Sequence, residues 1–352
     1  RFTNDSVFLQ DTSAPRNNYD GAMDVDGYYA MAEVPLGKKL RVTGGVRLES
    51  TDILVASQDT TRREGILRER DTLPALSVVY EVGSKMNLRA AFGRTLARPN
   101  FRELAPYETF EFVGDFVYIG NPDLKRTLID NYDLRWEWFT GPGQIVAVSA
   151  FLKEMKNPIE KAIFAPTGVI INQGEIQFQN PEKGRVYGAE FELRQKLGGL
   201  WQPLANFTFG LNLTVVESTV DVSAGELAVA RLYEPDAKST RPLAGQSNHL
   251  VNGDLSYSNP RTRTSASLYY NLFGKRLALV SPPGTPDIYE QPATELDFIF
   301  SQKFGARWKA GFSAKNLLNP SEEAIQTYRG VDYARYERKR GRTYSLTLGY
   351  GF

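Results

Sequence analysis

The sequence predicts an all-β fold: an antiparallel, up-and-down transmembrane β-barrel. Three observations predict it. The chain closes on Tyr344-Ser-Leu-Thr-Leu-Gly-Tyr-Gly-Phe352, where Tyr344, Leu346, Leu348, Tyr350 and Phe352 are large and apolar and the residues between them are small or polar. Strict period-two alternation makes a strand with one apolar and one polar face. Runs of the same kind recur along the chain, whereas helical periodicity is convincing nowhere. The connections between the runs alternate strictly between short and long, as in an outer-membrane barrel with short periplasmic turns and long external loops.

The early strands carry this pattern plainly. Leu40, Val42, Gly44, Val46 and Leu48 alternate with Arg41, Thr43, Gly45, Arg47 and Glu49. Tyr132, Leu134, Trp136 and Trp138 alternate with Asn131, Asp133, Arg135 and Glu137. Further on, Phe207 to Leu213 and Ala266 to Leu272 repeat it. About thirteen such strands are readable, each long enough to cross a bilayer at a tilt. An odd count is unusual for a bacterial single-chain barrel, and an extra strand at Ser6 to Gln10 is one remedy.

Short connections fall at Pro35–Lys39, Gly83–Lys85, Gly141–Gly143, Leu197–Leu200, Asn259–Thr262 and Gly305–Arg307. Long polar ones cover 51–70, 98–125, 157–183, 219–246, 275–291 and 320–340. Connections this long are uncommon in compact soluble domains. Tyr80, Trp136, Trp138, Tyr257, Trp308, Tyr350 and Phe352 gather at the short-turn ends, as an interfacial aromatic girdle does. That places the C-terminus on the periplasmic side. The polar strand faces carry Arg41, Arg47, Glu49, Arg135, Glu137, Glu190, Glu192 and Arg194, with Asp254, Lys309 and Lys315. Each of these charges is costly against lipid, by roughly 2–4 kcal/mol at the midplane, so they are expected to face the lumen. Their mixed signs suit ion-paired contact with a protein surface, such as a plug, better than an ion-selective pore.

Composition narrows the function classes. Lys+Arg 42 against Asp+Glu 41 gives net charge +1, which offers nothing to attract nucleic acid. Mean hydropathy is −0.37, and no apolar run reaches the length of a membrane helix. There is no cysteine, hence no disulfide, thiolate metal site or cysteine nucleophile. The single histidine, His249, makes no metal site alone. Asp24-Val-Asp-Gly27 lacks the later ligands of a calcium loop; Asp20, Asp24 and Asp26 read better as lumen-facing strand positions. No phosphate loop, nucleophile elbow or zinc-protease motif occurs. Neither an enzyme nor a bound cofactor or metal is expected. The one candidate recognition segment is the loop 98–125, with Phe101, Tyr107, Phe110, Phe112, Phe116 and Tyr118. These aromatics could stack on a ligand or pack the loop onto its neighbours, and packing is the more common use.

Asn87-Leu-Arg-Ala-Ala-Phe-Gly-Arg-Thr-Leu-Ala-Arg-Pro-Asn-Phe-Arg-Glu-Leu104 resembles a TonB-dependent outer-membrane receptor. Gly120–Lys125, Asn131–Leu134, Ser149–Lys153, Asn157–Glu160 and Tyr187–Glu192 continue the resemblance in order. Arg241–Ser247, Asp287–Pro292 and Asn316–Asn319 look like the large-receptor branch found in Bacteroidetes and related bacteria. The closing Tyr344, Leu346, Leu348, Tyr350 and Phe352 are similar to the signal read by the barrel-assembly machinery. The resemblance implies a 22-stranded barrel around an N-terminal plug, of which this chain supplies the C-terminal part. Residues 1–18 are then a loop or strand remnant, and residues 19–352 are barrel wall and extracellular loops. The Arg1 start shows no signal peptide, so it is read as lying inside a longer protein.

The implied function is energy-coupled uptake of a scarce solute such as a siderophore, oligosaccharide or cobalamin. The implied partners are the lipid bilayer, the plug and missing strands, and the TonB-ExbB-ExbD energy-transducing complex. The barrel-assembly machinery and a possible surface lipoprotein complete the set, with no nucleic acid. A passive porin, or a barrel serving as a protein-binding or adhesion module, remains the alternative.

Overall fold

A computed structural model describes residues 18–58, 63–109, 117–164, 175–282 and 284–351. Four long strands open the chain: β1 (Tyr19–Leu36), β2 (Leu40–Ser57), β3 (Gly65–Gly83) and β4 (Met86–Ala97). A long connection follows, with the one-turn helix α1 (Phe101–Leu104), β5 (Glu108–Thr109) and β6 (Val117–Ile119). β7 (Thr127–Gly141) and β8 (Gln144–Lys156) return to the wall. The next connection holds β9 (Glu160–Phe164) and β10 (Glu175–Gln179), and β11 (Lys183–Lys196) and β12 (Phe207–Asp221) form the following hairpin. Then come α2 (Ala224–Tyr233) and β13 (Thr240–Arg241), before the wall hairpin β14 (His249–Asn259) and β15 (Thr264–Phe273). β16 (Arg276–Leu279) and β17 (Ile288–Glu290) precede wall strands β18 (Ala293–Phe304) and β19 (Trp308–Lys315). β20 (Glu322–Tyr328) and β21 (Val331–Arg338) precede the last wall strand, β22 (Thr343–Tyr350).

The wall is one antiparallel path, β1-β2-β3-β4-β7-β8-β11-β12-β14-β15-β18-β19-β22, with β13 added beside the end of β12. The class is all-β, as the alternation predicts. Among the described residues the path does not close: β1 and β22 are its two edges. No helix among the described residues is long and apolar enough to cross a membrane, which says nothing of strands.

Register fixes which residues share a face. Leu48 stands opposite Tyr28 and Thr72, and Glu49 opposite Gly27 and Asp71. The Leu48 face is exposed and apolar: Val46, Leu134, Val148, Leu346 and Leu348 all lie on it, Leu346 at 85% exposure. The opposite face holds Glu49, Asp71 and Glu137, all buried. A strand that buries its charges and exposes its leucines suits a lipid exterior and a wet or protein-filled interior.

The long connections are folded. β5-β6-β10-β9 and β16-β17-β20-β21 are two four-stranded sheets, joined by a parallel bridge between Ala162 and Val280. Ile176, Leu279, Ile288 and Ala324 bury a common core between them. A second core forms where Ile53, Val55 and Leu67 at the upper ends of β2 and β3 receive Leu104, Ala105 and Leu124. Burying a side chain of this size contributes about 1.5–3 kcal/mol. Together these connections form a crown at one end of the wall.

Three sequence expectations need correction. Residues 51–70 are mostly strand, not loop. The polar look comes from outward Asp52 and Arg68, which pair at 3.0 Å, while Ile53, Val55 and Leu67 point inward. Asp20, Asp24 and Asp26 do not face the lumen, because register puts Asp24 opposite Asp52 on the Leu54 side. Helix does occur, in α2. Its N-cap Ser223 accepts a hydrogen bond from the Glu226 amide, and Leu232 and Tyr233 stay exposed. A short helix with no buried stripe leaves no hydrophobic period to read.

Candidate functional site: the inner face and the crown

The inner face is built by carrying one register across the sheet. Arg41 stands opposite Val79, Val79 opposite Arg89, and Arg89 opposite Arg135. Arg135 and Glu190 share Ser149 as a neighbour, and Glu137 and Glu192 share Ala147. Arg41, Arg47, Glu49, Arg135, Glu137, Glu190, Glu192 and Arg194 therefore occupy one face.

Two ion-paired clusters organise it. At mid-wall, Arg135 donates to Glu137 at 2.9 Å, to Glu192 at 2.6 Å and to the Ser149 hydroxyl at 3.0 Å. Arg89 donates to the same Glu137 at 2.7 Å. Higher up, Glu49 accepts from Arg47 at 2.5 Å and pairs with Arg98. Arg126 donates to Asp71 at 2.6 Å and sits 3.1 Å from Glu69. Arg98 and Arg126 are the first and last residues of the connection that carries α1, so both of its ends are pinned to carboxylates of β2 and β3. Alternation alone could not find Arg98, Arg126, Asp71 or Arg89, because their roles depend on cross-strand register.

Farther round the sheet the inner face turns from ion pairs to amides. Glu192, Asn212, Asn252, Asn271 and Glu295 are successive neighbours on five strands. They line a shallow recess with Asp254 and Tyr269. Glu190 and Arg194 beside it make no ion pair among the described residues. This surface offers donors and acceptors to a polar partner.

The loop aromatics divide. Tyr107 packs on Tyr19, with ring centroids 5.1 Å apart, against the upper core. Tyr118 lies under the Arg102 guanidinium at 5.3 Å and the Lys161 ammonium at 4.7 Å, against the other core. Phe110, Phe112 and Phe116 lie outside the described residues. Phe101, the first aromatic of the segment, lays its ring over Gly21, where a Cβ would stand 2.9 Å from it.

The crown has its own buried charges. Glu160 is 3% exposed, accepts from Arg241 at 2.5 Å and from the Ala244 amide at 3.1 Å. Burial pushes its carboxyl above the usual range, and does the same to Asp287, which accepts from the Ser281 amide at 2.8 Å. Burial, with a hydrogen bond to Glu290, pushes Tyr336 up to about 12. Glu322 goes the other way: burial opposes ionisation, but Arg338 and Arg340 outweigh it. The His249 ring Nδ1 lies 2.7 Å from Asn248 Oδ1, and no metal-binding cluster occurs among the described residues.

At the wall's end, Tyr344, Leu346, Leu348 and Tyr350 expose their side chains on the apolar face, and Tyr350 packs against Trp308 with ring centroids 4.9 Å apart and tilted by 60°. Phe352 lies outside the described residues. Trp201 and Phe304, missed in the sequence, extend the exposed apolar residues at the short-turn end.

Comparison with known proteins agrees with this architecture. A family profile described as "TonB dependent receptor-like, beta-barrel" matches residues 1–317. A mutant ferric enterobactin receptor, PfeA, from Pseudomonas aeruginosa superposes with TM-score 0.60 at 16% identity, covering 95% of this chain and 55% of that one. The copper transporter OprC gives TM-score 0.68 at 14% identity, covering 95% and 48%. The ferric-catecholate import receptor Fiu from E. coli K12 gives 0.66 at 13% identity, covering 99% and 47%. The chain thus spans about half the length of these structures, and identities this low show the fold alone. No curated protein sequence matches the chain significantly.

Proposed function

This chain belongs to the TonB-dependent receptor β-barrel family of the outer membrane, and from that premise we propose that it forms wall and loops of an energy-coupled importer. The solute is of the scarce kind, such as a siderophore, oligosaccharide or cobalamin. The observation that carries the reading is the division of the wall into two faces. The outward face is apolar over its lower length, and the inward face is an ion-paired and amide-lined surface. Water alone does not require a surface so rich in pre-arranged partners; a seated plug does.

On this reading the crown lies outside the cell and the short turns, with the C-terminus, lie in the periplasm. Strands pairing with β1 and β22 complete the wall, since unpaired edges are not tolerated in hydrocarbon. The ligand engages the crown and the plug apex. The TonB-ExbB-ExbD complex then pulls the plug away from the inner face. The Arg135 and Glu49 clusters hold the wall's own charges paired while contacts to the plug break, so the wall does not reorganise with each cycle.

Uptake in cells with and without the energy-transducing complex tests this. Import that needs the complex, together with low conductance of the whole receptor in planar bilayers, supports it. Steady conductance and uptake indifferent to the complex would overturn it in favour of a passive porin. Co-purification of a protein bound to the crown, with no solute uptake, would favour a protein-binding module.

A further inference from the structure

Three of the sequence blocks that carry the family resemblance, Asn157–Glu160, Arg241–Ser247 and Asp287–Pro292, meet at one place in the crown. Arg241 reaches Glu160 of the 157–183 connection at 2.5 Å and Glu226 of α2 at 3.2 Å. The Ala244 amide donates to the other oxygen of Glu160. The Gly245 amide donates to the Leu277 carbonyl at 2.7 Å, and Ser247 bridges Arg276, so the same block grips the 275–291 connection. Ala162 bridges Val280 directly. A single guanidinium thus stands where three connections join.

A purely structural joint has little use for this chemistry, because apolar residues of similar volume are often as stabilising as a buried ion pair or more so. The joint is also incompletely satisfied. Arg241 Nε and Ser281 Oγ are buried with no hydrogen-bond partner. Asp287, Glu226 and Glu234 place further carboxylates within each other's fields around the one arginine. Such a junction holds firmly while its pairs are intact and loses its hold when one partner leaves.

We propose that Arg241 is a latch: it holds β9, β13 and β16 as one body, and breaking its pair with Glu160 loosens all three together. The link to solute admission rests on the importer reading. The latch itself does not, and its test reads loop motion directly.

Hydrogen exchange on the receptor in outer-membrane vesicles, comparing wild type with Arg241→Ala, Arg241→Lys and Glu160→Gln, decides it. In Arg241→Ala, amides of β9, β13 and β16 accelerate together, by roughly a hundredfold. Amides of β11, β12 and β14 keep their wild-type rates. Arg241→Lys restores charge without the two-pronged reach and recovers part of the protection. Should the alanine variant fail to assemble, Arg241→Lys and Glu160→Gln give the same reading at smaller amplitude. Acceleration confined to residues 240–244, equal acceleration of crown and wall, or no change would each overturn the latch. Concerted acceleration with uptake unaltered would leave the latch standing and remove its link to import.

Discussion

Glu49 shows what a single inner residue does. It is buried, accepts from Arg47 and pairs with Arg98, the residue that starts the longest-folded connection. Glu49→Ala leaves two guanidinium groups without their shared partner. The expected cost is about 1.5–3 kcal/mol, that of charge-assisted hydrogen bonds, because Arg47 and Arg98 both keep contact with water. It should appear as faster hydrogen exchange at α1 with wall strands β11 and β12 unaffected; unchanged α1 protection would refute it. Gly120 makes a complementary case. A Cβ there would stand 1.9 Å from the Ala105 carbonyl oxygen. Since backbone is what it meets, relief needs the connection to shift, and Gly120→Ala should cost roughly 1–3 kcal/mol, lowering the temperature at which α1 loses protection. Glu49's face was legible from alternation and Gly120 from its sequence block. Their partners were not, because Arg98 and Ala105 are brought in by the loop path, which period-two reading does not contain.

At the scale of elements, wall strands were legible and the crown was not. A wall strand advertises itself through two unlike faces. The crown strands are two to eight residues long and exposed on several sides, so alternation never accumulates. The asparagines of the resemblance blocks are a partial signal: Asn157, Asn316 and Asn319 all take positive φ, which Asn tolerates better than most residues. They mark the points where strand gives way to crown. The crown also carries a pH dependence. Asp287 has a carboxyl raised by burial in the closed crown. An opened crown returns it to the ordinary value, so the closed form binds more protons between the two. Closure at this joint is therefore strongest below the ordinary carboxylate range and weakens as pH rises through the raised value. Exchange at β16 and β17, corrected for its intrinsic pH dependence, should slow on acidification from neutral pH. Asp287→Asn should remove part of that slope, and a slope of opposite sign would refute the account.

At the scale of the whole molecule, the strands are longer than a bilayer needs, and the outward face shows where the bilayer stops. On β2 the outward residues run Leu40, Val42, Gly44, Val46, Leu48, then Ser50 and Asp52. Leu40 to Leu48 covers roughly 27 Å along a strand, or about 20 Å along the normal at barrel tilt, close to the apolar band such barrels present. Above it outward charges pair with each other: Asp52 with Arg68, Arg94 with Asp130 at 2.6 Å, and Glu154 with Arg185 at 2.7 Å. Lipid would not accept a belt of this kind, and water does. That is why residues 51–70 looked like loop in the sequence: the polarity marks height above the membrane, not the end of the strand. The absence of cysteine makes the boundary directly measurable. Single substitutions Asp52→Cys and Lys183→Cys should react with a membrane-impermeant maleimide on intact cells. Leu48→Cys and Leu348→Cys should stay unreactive until detergent is added. Labelling of Leu48→Cys at the rate of Asp52→Cys would place the boundary lower and refute the band, whereas protection of Asp52→Cys would move the crown toward the headgroups and refute the belt.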